Sequence, residues 1–163
     1  MQARHRAAIG ALMIAAAASL LGIGYRTGAN AAAQEQAQPL PKEHRLVILI
    51  DSNDRKVMGH AISYAMNISR AYAIKNEAVK IEIVANGSGI ELLRDDISPL
   101  KQPLAALRQA IPDIVLSMCD SSRQIAEQKE GHAISPLPGA RIVPFGIGRV
   151  MELQEAGWSF LHG

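Results

Sequence analysis

From His44 onward, short apolar runs alternate with stretches whose apolar positions recur at helical spacing. Residues 45–51 (RLVILID) form a continuous Leu/Val/Ile run of strand length, the pattern of a strand buried on both faces. Over residues 56–76, Val57, Ala61, Tyr64, Ala65, Ile68, Ala71 and Tyr72 predict one apolar helix face. Residues 79–85 (VKIEIVA) read as a second strand, which Asn86-Gly87-Ser88-Gly89 breaks. A short helix is expected over 90–94 and a longer one over 99–110, with Pro99 suited to a first turn and Pro112 past the end. Residues 113–118 (DIVLSM) are a third strand running into Cys119, and a polar helix over 122–130 stops at Gly131. A short strand over 141–144 (RIVP), a helix over 147–156 ending at Gly157, and a fifth strand over 158–161 (WSFL) complete the series. Strand and helix in strict alternation predict an α/β domain: a mostly parallel sheet of about five strands, right-handed crossovers and helices on both faces.

Residues 1–43 do not share this pattern. Arg4, His5 and Arg6 form a basic leader, 7–24 are uncharged and rich in Ala, Leu and Ile, and Ala29-Asn30-Ala31 and Ala31-Ala32-Ala33 both fit a small-x-small cleavage site. Together these features define a secretory signal over 1–33 and a periplasmic mature protein. The alternative is an uncleaved anchor over 7–24, facing the same compartment, and only then would a membrane be a partner. Residues 34–43, Gln- and Pro-rich without periodicity, read as a flexible linker, and 44–163 as one α/β domain. Removing 1–33 takes away Arg4, Arg6 and Arg26 and no acid, so the formal charge of +2 falls to about −1. A near-neutral domain gives no electrostatic reason to expect a nucleic-acid partner.

Ligands of open parallel sheets collect at the carboxyl ends of the strands. Three polar segments fall there: Asp51-Ser52-Asn53-Asp54, Asn86-Gly87-Ser88-Gly89 and Cys119-Asp120-Ser121-Ser122. The turn containing Gly87 and Gly89 offers backbone N–H groups to an anion, but Leu92 stands where a dinucleotide fingerprint needs its third glycine. Asp51, Asp54, Asp95 and Asp96 suit capping and turn roles, and His44, His60, His132 and His162 share no period, so neither metal nor bound cofactor is expected. Ser121 and Ser122 are candidate N-caps for the helix that follows, and no nucleophile elbow surrounds them.

Cys119 is the chain's single cysteine, so no disulfide can form within it. It stands where a strand ends and a helix begins. The helix dipole and Arg123, one turn on, favour its thiolate, while Asp120 opposes it. The competing reading is a small core hydrophobe, the ordinary fate of a free cysteine. Asn86, Gly87, Gly89, Ser121, Ser122 and Arg123 are the accompanying candidate ligand residues.

The domain resembles the DsrE/DsrF-like (YchN-like) family in four ordered segments: RLVILIDSNDRKVMGHAISYAMNISRAY, IEIVANGSGIELL, DIVLSMCDSS and RIVPFGIGRVMELQEAGWSFL. The resemblance implies a three-layer flavodoxin-like fold, assembly into trimers or hexamers, and a cysteine at position 119 that carries sulfur as a persulfide between donor and acceptor proteins. Many relatives have a histidine where this chain has Asn86. The rival expectation is a non-enzymatic, small-ligand-binding or structural oligomer of the same fold. Apolar Ile97, Leu100, Leu104 and Phe145 are candidates for the self-association surface.

Overall fold

The computed structural model describes residues 42–163; the expected signal or anchor and most of the linker lie outside them. In chain order the elements are β1 (Glu43–Ile50), α1 (Arg55–Ala73), β2 (Ala78–Ala85), a 3-10 helix (Gly87–Leu93) and α2 (Lys101–Ala110). Then follow β3 (Val115–Cys119), α3 (Asp120–Glu130), β4 (Arg141–Val143), α4 (Gly146–Glu155) and β5 (Ser159–His162). Among the described residues no helix is long and apolar enough to cross a membrane.

The five strands form one fully parallel sheet in the order β4-β3-β2-β1-β5. Stepping from β1 to β4 always in one direction, with right-handed crossovers, puts α1, the 3-10 helix, α2 and α3 on one face. The return from β4 to β5 crosses the sheet the other way and leaves α4 on the opposite face. The fold is therefore a three-layer, flavodoxin-like α/β domain.

Strand alternation divides β1 between the two faces. Leu46, Ile48 and Ile50 join Met58, Ala61, Ala65, Leu104 and Leu107 in the larger core, whereas Val47 and Leu49 join Val84, Val150 and Leu153 in a smaller one. Asp54 caps α1, accepting from Lys56 N at 2.7 Å and Val57 N at 3.2 Å, as its turn position suggests. Leu100 and Leu104 lie in the core and are removed from the candidate self-association surface, because Leu104 is on the inner face of the amphipathic α2 and Leu100 is the buried residue that precedes it. Ile97 and Phe145 are exposed.

Candidate functional site

The carboxyl ends of β1, β2 and β3 interlock as their order in the sheet requires. Asn86 N donates to Ile50 O at 2.8 Å, extending the parallel ladder one residue past β2. Ser88 Oγ donates to Asp51 O at 3.0 Å, and Asp51 Oδ1 lies 3.0 Å from Nε2 of His162, the last residue of β5. Ser122 Oγ accepts from Gly87 N at 2.8 Å and lies 3.5 Å from Asn86 Oδ1, tying the first turn of α3 to the turn after β2. Ser121 N donates to Pro144 O at 3.2 Å, bringing in the turn after β4.

Cys119 is at the centre of these turns and only 2% exposed. It is itself the N-cap of α3, its Sγ accepting from Ser122 N at 3.5 Å. This corrects the serine caps: the helix begins at Asp120, Ser121 and Ser122 are in its first turn, and the Ser122 hydroxyl is engaged by Gly87 instead. The sulfur thus meets a free N–H of the helix end directly.

Arg123 is engaged by acids of its own helix. Its guanidinium is paired with Asp120, Nε to Oδ1 at 2.8 Å, and with Glu127, one turn on. The hydrogen bond it donates to Asp120, then the charges of both acids, hold its pKa above the ordinary arginine value. Its positive charge is therefore balanced within α3. Gly89 also has a different role from the one expected. A Cβ there would lie 2.3 Å from Ile50 O, so this glycine lets the 3-10 helix press against the end of β1. Asn86, Gly87, Cys119 and Ser122 are brought together; Gly89 is a packing residue beside them. The amide at Asn86, unlike a histidine, has no proton to exchange near neutral pH.

Gly146 is a member of this cluster that the sequence pattern does not single out. It opens α4 from the opposite face, and a Cβ on it would lie 2.9 Å from Asn86 Oδ1 and 3.0 Å from Cys119 Cβ. A glycine before a helical run is an ordinary sequence feature, so only the close approach of two strand ends reveals its role. A groove of about 320 Å³ runs from Gly87 and Ser122 between the 3-10 helix and α3, past Ser88, Glu91 and Ile125 to Lys129. Neither Cys119 nor Arg123 lines it.

Two buried charge networks were also not evident in the sequence. Arg94, 2% exposed, forms bidentate pairs with Asp96 and Glu130. Hydrogen bonding from Arg94 holds Asp96 down to about 2 and lowers Glu130 as well. His132 completes a cluster with these two acids, but both already face the fixed cation of Arg94, which discourages a metal ion there. The second network surrounds Glu82, 1% exposed on β2 and on the α4 side of the sheet. Ser117 Oγ, Arg141 Nη2 and Arg149 Nε all donate to its Oε1, at 2.7, 2.7 and 3.1 Å. Burial alone would raise its pKa, but the hydrogen bonds from Arg149, Ser117 and Arg141 more than offset this and lower it.

No family model matches the sequence, and no curated protein matches it. Among solved structures the fold is similar to that of MTH1491, a protein of unknown function from Methanobacterium thermoautotrophicum. The two are 25% identical with a TM-score of 0.63, over 74% of this chain and 99% of that one. The likeness concerns the α/β architecture and carries no activity.

Proposed function

We propose that this chain is an exported DsrE/DsrF-like protein that accepts and passes on sulfane sulfur at Cys119. The observation that carries this reading is the Cys119 Sγ as N-cap of α3, accepting from Ser122 N at the positive end of the helix. Its burial favours a small donor such as inorganic polysulfide over a protein donor. In the first step the Cys119 thiolate attacks a terminal sulfur of polysulfide. A Cys119 S–S bond forms, an S–S bond of the polysulfide breaks, and the shortened polysulfide leaves with the electron pair. An acceptor thiolate then attacks the outer sulfur of the persulfide and releases the Cys119 thiolate, completing a transfer that is redox-neutral overall.

The test is intact mass after incubation with polysulfide, using protein processed in its native host. Wild type should gain sulfur at Cys119 and lose it to an added thiol, and Cys119→Ser should gain none. Failure of wild type to gain sulfur, together with alkylation of Cys119 only after denaturation, sinks the reading. N-terminal sequencing of the same sample tests export: a start near residues 32–34 is expected, and an intact Met1 in membranes would make 7–24 an anchor.

Assembly into trimers or hexamers belongs to the same proposal. Ile147 and Met151, one turn apart on α4, are exposed, as are Phe160 and Leu161 on β5. These apolar side chains offer a surface for a second copy.

A second reading has its own support. The groove between the 3-10 helix and α3 excludes Cys119 and is lined by Gly87 and Ser122, which suits a non-enzymatic module for a small ligand. Native mass spectrometry separates the two: a ligand retained equally by Cys119→Ser favours the binding module.

A further inference from the structure

A second groove, of about 420 Å³, lies on the other side of the molecule between edge strand β4 and α4, bordered by Arg141, Ile142, Phe145, Gly148, Arg149 and Glu152. It does not depend on the reading of Cys119. Both arginines are held from behind. Arg141 donates Nε to Ser117 Oγ at 2.9 Å and Nη2 to Glu82 Oε1 at 2.7 Å. Arg149 donates Nε and Nη2 to the two Glu82 oxygens at 3.1 and 3.0 Å, and Nη1 to Glu152 at 3.2 Å. Each guanidinium has five N–H groups. Among the described residues Arg141 uses two of them and Arg149 three, leaving five without a partner there, and the wall beside them is otherwise largely apolar.

The charges decide what fits. The buried Glu82 balances one arginine and Glu152 partly offsets the other, so the surplus is at most one positive charge. Glu152 is well exposed at the rim, where water weakens its effect. A singly charged anion closes this balance, whereas a dianion would leave the groove negative beside a buried carboxylate. Two oriented guanidinium forks match the planar oxygens of a carboxylate or the face of a sulfonate. Phe145, 68% exposed, and Ile142 provide an apolar shelf next to them. Ile147 and Met151 leave α4 on the flank away from Arg149, so the groove and the apolar ridge are separate features.

We propose that this groove binds a singly charged organic acid, its carboxylate or sulfonate on Arg141 and Arg149 and its apolar body on Phe145 and Ile142. Calorimetric titration of the processed protein with benzoate, benzenesulfonate and inorganic phosphate tests it. Saturable binding of the two organic acids, tighter than that of phosphate, is expected. Arg141→Ala, in which Arg149 and Ser117 still hold Glu82, should weaken both by about tenfold or more. Phe145→Ala should weaken them by about threefold or more and leave phosphate unchanged. Absence of saturable binding up to about 10 mM, or equal affinity in Arg141→Ala, overturns the proposal. It also falls if the acids do not bind and Arg141→Ala lowers the mass in light scattering, since the arginines would then serve a subunit contact.

Discussion

Arg149 holds Glu82 from 67 positions away in sequence, its Nη2 3.0 Å from Oε2 and its Nε 3.1 Å from Oε1. This pairing joins α4 to the centre of the sheet on the face that, among the described residues, has only one helix, so the charge on Glu82 matters to the fold. Glu82→Gln keeps the shape and removes the charge, turning charge-assisted hydrogen bonds into neutral ones. Chemical denaturation should show a loss of about 1.5–3 kcal/mol. An unchanged midpoint would mean that the network is replaceable by water.

Two glycines in helices should respond in opposite ways. At Gly146 any side chain meets Asn86 and Cys119, so Gly146→Val should destabilise by about 1–3 kcal/mol and disturb the setting of the Cys119 thiol. At Gly59, inside α1, a Cβ would meet nothing within 4 Å. There, Gly59→Ala should stabilise by about 0.5–1 kcal/mol through helix propensity alone. Thermal melts of both variants give the comparison, and a stabilised Gly146→Val would contradict the described approach of α4.

Acid should act through Arg94 and its partners. Asp96 is held at about 2 in the fold, below its ordinary 3.8, so its contribution is fully present above about pH 4 and is lost as pH falls toward 2. Glu130 and Glu82 are lowered as well and add in the same direction. The denaturant midpoint should therefore fall steadily between pH 4 and about 2. Asp96→Asn should be less stable at pH 5 and show a shallower fall. A midpoint that does not change from pH 5 to about 2 would rule out these pairs as a source of stability.

Self-association should depend on α4. Ile147→Glu with Met151→Glu places two charges on its exposed apolar flank and should lower the mass seen by light scattering at micromolar concentration. Circular dichroism should be unchanged, since neither residue belongs to the core. Wild-type protein that is already monomeric would remove this role from the flank.

The strands and crossovers were legible because each strand carries its own apolar run and each helix its own period. Cys119 at a strand end followed from the same local pattern. The networks were hidden for the converse reason, that they join distant segments. In VKIEIVA, Lys80 and Glu82 both look like the polar, outward positions of an alternating strand, and only Arg141 and Arg149 make Glu82 an inner one. Arg94 likewise meets Glu130 across 36 positions. The balance of Arg123 was within reach of the sequence, since Asp120 and Glu127 stand three and four residues from it on the same helix face.

The order of the sheet also bears on how the chain acquires its structure. β5 pairs with β1, and His162 meets Asp51 across 111 positions, so β1 gains its second neighbour only from a segment that follows β2, β3 and β4 in the chain. α4 packs on the face of β1 and β2, through Val47, Leu49, Val84 and Glu82, so it can dock before β5 joins the edge of β1. Closing that pairing requires a long loop to be ordered first, which makes it a slow step. Until then, the open backbone edge of β1 is available to any other strand that can take the place of β5.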